Sequence, residues 1–134
     1  MIKQQREYCI NQPPSYYEYK NKQIEFDACD RYELIQNIGR GKYSYVFEGI
    51  DTKTDDKVIV KILKPVRKAK ISREICILKI LGGGKNIIRL LNICYDPMTK
   101  VPSLVFECIS NTTLKSVLKT LSLEDIKGYM FKLF

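Results

Sequence analysis

The stretch QNIGRGKYSYVFEGI, residues 36–50, decides how the rest of the chain is read. Gly39 and Gly41 are spaced as G-x-G, and Ser44 stands where a third glycine would complete G-x-G-x-x-G. In a dinucleotide-binding βαβ unit such glycines lie between a strand and a helix. Here YVFEGI (45–50) comes next, and it alternates like a strand. The glycines therefore belong to a strand–loop–strand hairpin, an arrangement that can lay a flap over nucleotide phosphates. Glycine lets backbone N–H groups approach phosphate oxygens with no Cβ in the way. Taken by itself, the stretch fits an ordinary hairpin turn equally well.

Working outward, Tyr32, Leu34, Gln36 and Ile38 alternate with Glu33, Ile35 and Asn37, which predicts a strand before the glycines. DTKTDD (51–56) is a polar hairpin loop, and KVIVKIL (57–63) is a third strand rich in β-branched residues. Pro65 ends it. From about Lys68 to Leu81 the spacing turns helical, with Ile71, Ile75, Leu78 and Leu81 at steps of three and four. GGG (82–84) stops that helix. NIIRLLNICY (86–95) and PSLVFECI (102–109) read as two further strands joined by a turn at Asp96-Pro97. NTTLKSVLKTL (111–121) predicts a short helix. Ser122 with Asp125 forms a variant capping box for a last helix whose apolar side carries Leu123, Ile126, Met130 and Leu133. That helix reaches Phe134 with no stop signal, so the chain reads as cut there. Residues 1–31 are polar, tyrosine-rich and broken by Pro13-Pro14, and read as an arm. The expectation is an α+β fold: the arm, a domain over 32–109 with a five-stranded, mostly antiparallel sheet and one packed helix, and the start of a helical part over 110–134.

Bulk properties agree with one domain of 134 residues, 45% hydrophobic and 28% charged. The net charge of +8 favours an anionic partner: nucleotide phosphate, nucleic acid, membrane surface or acidic protein. The five cysteines are scattered, and histidine is absent. Mixed Cys/His zinc sites and histidine acid–base chemistry within this chain are thereby excluded. Free thiols in a reducing compartment are the simplest account. The first residues lead into no apolar signal core, and no apolar run approaches the length of a membrane span. The expected location is the nucleus and cytoplasm.

Two charged residues carry the chemistry. Lys61 lies mid-strand and shares a face with Ile59 and Leu63, while Val58, Val60 and Ile62 face the other way. A lysine there either snorkels or meets an anion. At 100° per residue, Glu74 lies about 20° from Leu81, about 40° from Leu78 and about 60° from Ile71. The carboxylate thus stands within the apolar stripe of the helix, where a cation should meet it, and Lys61 is the candidate. Leaving such a buried charge unpaired typically costs roughly 3–5 kcal/mol. Fixed by Glu74, Lys61 can hold phosphate oxygens. From Lys57 to Arg73 run seven basic residues (Lys57, Lys61, Lys64, Arg67, Lys68, Lys70, Arg73) and no acid. They form either a solvated face or a patch for an acidic peptide. The sheet face that holds Val60 and Ile62 is either an apolar partner surface or is covered by the returning arm.

Together these residues resemble the N-terminal lobe of the eukaryotic protein kinases, and more closely the casein kinase II catalytic (alpha) subunits. The resemblance runs from about Pro14 to Phe134. GRGKYS (39–44), VFEGI (46–50), VKILKPV (60–66), REI (73–75) with IL (77–78), PSLVFE (102–107) and NTT (111–113) are close to that family's wording. The arm YYEYKNKQIEFDACDRYEL (16–34) is similar to its aromatic N-terminal segment. The resemblance implies an ATP-dependent serine/threonine kinase working with Mg²⁺ on acidic protein substrates. Gly39, Arg40, Gly41, Lys42, Tyr43, Ser44 and Tyr45 would then form the glycine-rich loop, and Ser44 at the third position is normal for this family. Lys61 would hold phosphate and Glu74 would be its helix partner. Ile38, Val46, Ile59 and Ile88 would line the adenine pocket. Phe106 would be the gatekeeper, with Glu107, Cys108, Ile109 and Asn111 along the hinge. Arg67, Lys68, Lys70 and Arg73 would read acidic substrates. Leu34, Phe47, Val60 and Ile62 would meet a regulatory beta subunit.

Some features depart from the family pattern. Ala69 and Ser72 interrupt the basic cluster RKAKISR (67–73), and Lys85 and Cys108 also differ. No H-R-D-type loop, metal-binding Asn or D-F-G-type Asp occurs, so the base and both Mg²⁺ ligands are expected beyond Phe134. The chain alone is expected to be inactive. Two alternatives remain: a short inactive form that binds the regulatory beta subunit or another partner, and a nucleic-acid module suggested by the charge. No membrane partner is expected.

Overall fold

A computed structural model of the chain describes residues 23–65, 68–110 and 114–133, together with 13, 14 and 18. Its centre is a six-stranded sheet in the order β1-β5-β6-β4-β3-β2. The strands are β1 (Asp27–Ala28), β2 (Tyr32–Arg40), β3 (Ser44–Asp51), β4 (Lys57–Leu63), β5 (Leu90–Asp96) and β6 (Val101–Glu107). β1 runs parallel to β5, and the other neighbours pair antiparallel. Periodicity predicts five strands, and the sixth, β1, comes from within the arm. Two residues carry no alternation to read, and only the distant β5 gives them a ladder. Around β1, Ile24 packs against the core and the Phe26 ring lies 5.4 Å from that of Tyr95. A 3₁₀ turn over Cys29–Arg31 then swings the chain into β2.

Helix α1 (Lys68–Leu81) comes after β4, and α2 (Leu114–Leu118) and α3 (Leu123–Leu133) come after β6. No helix among the described residues is long and apolar enough to cross a membrane. The glycine stop is real: Gly82 N–H donates to the Leu78 carbonyl, and Gly83 takes φ +79°. The turn runs further than the sequence suggests, so β5 begins at Leu90 and Ile88 lies before it. β6 likewise ends at Glu107, leaving Cys108 and Ile109 outside the ladder. The expected capping box forms. Ser122 N–H donates to Asp125 Oδ2 at 3.0 Å, and Asp125 N–H donates to Ser122 Oγ at 3.1 Å. None of the residues of α3 is buried, so its apolar side lies open.

Alternation along β4 divides the core as its sequence predicts. One cluster holds Leu63, Ile75, Ile93, Leu104 and Phe106, with Ile59, Ile71 and Leu78 against it. This is the inner face, covered by α1. The other holds Val58, Val60, Cys94 and Val105, with Cys29, Tyr32 and Ile62 against it. This is the outer face. Each fully buried aliphatic side chain contributes about 1.5–3 kcal/mol. Leu81, expected in the helix stripe, is 48% exposed and has no place in either cluster.

β2 does not keep the strict alternation expected of it. Its register with β3 slips between Leu34 and Gln36 and again between Asn37 and Gly39. Ile35 and Ile38 are the extra residues of two bulges, and each bulge exchanges the faces of the residues after it. Gln36 and Asn37, between the bulges, therefore change faces: Gln36 lies opposite Glu48 on the inner face and Asn37 opposite Phe47 on the outer one. The second bulge restores the original alternation, with Leu34 opposite Gly49 outside and Gly39 opposite Val46 inside. Close approach at the first bulge explains Gly49: a Cβ there would lie 2.7 Å from the Glu33 carbonyl oxygen.

Candidate functional site

The site begins with Lys61. Mid-β4 and on the inner face, it lies between Val46 of β3 and Leu104 of β6. α1 carries Glu74 to it, and Lys61 Nζ donates to Glu74 Oε1 at 2.6 Å. The placement of Glu74 beside core-facing positions produces the expected pair. Its burial is less than a place in the apolar stripe implies, because the two side chains are 29% and 39% exposed. Water reaches both charges, so the pair contributes about 0–1 kcal/mol to stability rather than the larger cost of a buried charge. Its effect is positional: one orientation of the ammonium group on a defined face of the sheet.

Beside Lys61 stands the hairpin that joins β2 to β3. Gly41 N–H donates to the Ser44 carbonyl at 2.8 Å, which closes the turn. Among the described residues nothing engages the N–H groups of Lys42 and Tyr43. Lys64, just past β4, ties the hairpin down. Its backbone N–H donates to the Tyr43 carbonyl at 2.8 Å, and its Nζ donates to the Gly41 carbonyl at 2.9 Å. The same ammonium lies 4.5 Å from the centre of the Tyr45 ring, and Arg40 lies 5.7 Å from it. Lys42 and Lys70 both approach the Tyr43 ring. In the sequence Lys64 is only one of a basic run. The signal that could have singled it out is its place at the end of β4, opposite the closing turn of the partner hairpin.

The two loop glycines differ from Gly49. A Cβ on Gly39 would meet Val46 at 3.5 Å, and one on Gly41 would meet Ser44 at 3.8 Å, both ordinary contacts. The fold does not require glycine at either place. Open backbone next to a positioned ammonium group suits an anion that approaches from outside.

Further along the inner face, Ile59 packs on the core and Phe106 sits opposite it, 7% exposed. Val46 lies beside them, opposite Lys61. Ile38, the second bulge residue, and Ile88, before β5, are 46% and 38% exposed. Glu107 joins the ends of β5 and β6. Its Oε1 accepts from Arg89 N–H at 2.8 Å, and its own N–H donates to the Arg89 carbonyl. Cys108 and Ile109 come next, both exposed, and Asn111 lies outside the described residues.

The sequence profile of the protein kinase domain matches residues 32–134. The chain belongs to the protein kinase family. A probable serine/threonine-protein kinase of Dictyostelium discoideum is 53% identical over 123 residues, which cover 92% of this chain and 20% of that protein. The chain thus spans about one fifth of the length of this relative.

Three of the described residues in the basic run of this kinase sequence have separate partners. Lys57 pairs with Glu48 at 3.2 Å, Lys61 with Glu74, and Lys64 with the glycine hairpin. Of the four residues expected to read acidic substrates, Lys70 and Arg73 are exposed. Arg67 and the side chain of Lys68 lie outside the described residues.

On the outer face of the kinase sheet, a cavity of about 320 Å³ is lined by Leu34, Val60, Ile62 and Val105, with Cys29 and Cys94 at its wall. Phe47, expected on the same surface, lies opposite Val60 but does not line the cavity. The arm closes part of this face. Tyr32 Oη accepts from Asn92 Nδ2 at 3.0 Å. Beside it Arg31 donates to both carboxylate oxygens of Asp51, at 2.8 and 2.6 Å. That guanidinium holds the Asp51 carboxyl down at about 2.

Proposed function

We propose that the chain is the ATP-binding lobe of a serine/threonine kinase of the casein kinase II alpha type, whose parent protein phosphorylates Ser or Thr near acidic residues. The observation that carries this reading is the Lys61–Glu74 pair beside a hairpin whose two glycines the fold itself does not require. In this reading Lys61 holds phosphate oxygens while the free N–H groups of the hairpin tip cover them. Ile38, Val46, Ile59, Ile88 and Phe106 flank the adenine, and the backbone of Glu107, Cys108 and Ile109 meets its edge, with Asn111 beyond. Exposed Lys70 and Arg73, with Arg67 and Lys68, attract acidic substrates. ATP with Mg²⁺ supplies the phosphoryl group. The base and the metal ligands are not among these 134 residues.

Calorimetric titration with Mg-ATP tests the reading. Saturable binding is expected, weakened at least about tenfold by Lys61→Met while the melting temperature shifts little. Equal affinity in the variant overturns the assignment of Lys61. The chain alone should phosphorylate no acidic peptide, and turnover abolished by Lys61→Met would contradict this.

The outer-face cavity favours a second reading, a protein that acts by binding the regulatory beta subunit. Leu34, 44% exposed at the cavity wall, gives the test. Leu34→Asp should abolish capture of that subunit while Mg-ATP binding persists, and undiminished capture rejects this surface.

A further inference from the structure

Two cysteines far apart in sequence meet on the outer face. β1 pairs with β5 so that Asp27 lies opposite Cys94 and Ala28 opposite Tyr95, which leaves Cys29 one residue beyond that register. Cys94 is 1% exposed and Cys29 is half-buried, and both belong to the outer apolar cluster. Both also line the cavity of about 320 Å³, which is roomy enough to admit a small oxidant. The two side chains lie close enough for each thiol to act on the ionisation of the other. Cys76 and Cys108 lie elsewhere, on α1 and after β6.

We propose that Cys29 and Cys94 form a dithiol site that a hydroperoxide closes into a disulfide, clipping the arm to the β5 edge of the sheet. Cys29 reacts first, being the more exposed of the two. With hydrogen peroxide, its thiolate attacks one oxygen, the O–O bond breaks, a sulfenic acid forms, and the hydroxide that leaves takes up the proton lost by the thiol and becomes water. Cys94 sulfur then attacks Cys29 sulfur, the S–O bond breaks, and a second water carries off the remaining proton. The two sulfurs together lose two electrons, and the peroxide gains them.

The surroundings set the pace. Burial pushes the Cys94 thiol up to about 12 and also raises Cys29; nearby Asp27, Asp30 and Asp96 add to this, while Arg31 opposes it. Thiolate is scarce at neutral pH, so closure is slow. A thiol of high pKa is also a poor leaving group, so the disulfide resists reduction once made. These are the properties of a durable clip rather than a rapid sensor. Closure spans a loop of about 65 residues, long enough to restrict the unfolded chain substantially.

The full chain is oxidised with hydrogen peroxide at pH 8, in buffer and in 6 M guanidinium chloride as separate arms, then alkylated and digested without reductant for peptide mapping by mass spectrometry. In buffer the Cys29–Cys94 peptide should dominate over pairings with Cys9, Cys76 or Cys108. In denaturant that preference should vanish. The oxidised chain should melt roughly 5 °C or more above the reduced one. Cys29→Ser should remove that rise, and Cys108→Ser should keep it. No enrichment over the denatured arm overturns the site, and a linked peptide without a higher melting temperature overturns the clip.

Discussion

The two faces of β4 use alternate residues of one strand and come out differently. On the inner side Ile59, Lys61 and Leu63 face a helix, which supplies both apolar cover and a carboxylate. On the outer side Val58, Val60 and Ile62 meet, among the described residues, their sheet neighbours and a short return of chain at Cys29 and Tyr32. A helix can bring a charged partner to a defined height above a sheet, so the inner face tolerates Lys61 and orients it. The arm brings the Cys29 thiol and the Arg31 guanidinium beside Cys94 of β5 and the Tyr32 phenol of β2, and the described residues leave an apolar cavity there. A rigid element supplies the counter-charge on the inner face, and the looser cover of the outer face leaves the surface proposed for docking or oxidation.

Truncations in the core give the largest effects and compare the faces directly. Leu104 and Val105 are adjacent, both fully buried, and point to opposite sides. Leu104→Ala should cost about 2–5 kcal/mol and Val105→Ala about 1–3 kcal/mol in urea unfolding. A cost below about 0.5 kcal/mol for Val105→Ala would mean that the arm does not close the outer face.

Glycine replacements separate backbone demand from ligand demand. Gly49→Ala drives a Cβ against the Glu33 carbonyl and should destabilise by roughly 1–3 kcal/mol. Gly41→Ala meets only ordinary contacts and should cost under about 1 kcal/mol while weakening Mg-ATP binding. Equal losses of stability would mean that the hairpin glycines serve the fold and not a ligand.

The smallest effect concerns the latch of the arm. Asp51 has its pKa lowered in the fold from 3.8 to about 2 by Arg31. A depressed carboxylate pKa adds stability that is fully present above the unfolded value and is lost as the pH falls through the folded one. Melting temperature should therefore drop between about pH 4 and pH 2, and Asp51→Asn should flatten that drop. An identical slope in the variant would detach the latch from acid stability.

Much of the fold and the site is legible in the sequence. KVIVKIL announces a two-faced strand, the three-and-four spacing announces α1, and Ser122 with Asp125 announces the start of α3, because each signal is local. Glu74 stands out by lying among apolar positions. The features that escape have a common cause. β1 is too short to show a period and exists only through β5. The bulges at Ile35 and Ile38 arise from how β2 must run beside β3, and they exchange the faces of Gln36 and Asn37 between them. A helical wheel overstates the depth of Glu74, since it gives direction but not solvent access.

By itself, then, the sequence determined the elements, the two-faced character of β4 and the pairing of Lys61 with Glu74, since periodicity and charge burial act over a few residues. The tertiary structure alone decided that Lys64 would tie down the glycine hairpin while Lys57 and Lys61 of the same run found other partners, and that Cys29 would lie against Cys94. Those outcomes depend on strand order and register, which bring distant residues together and leave no local trace in the chain.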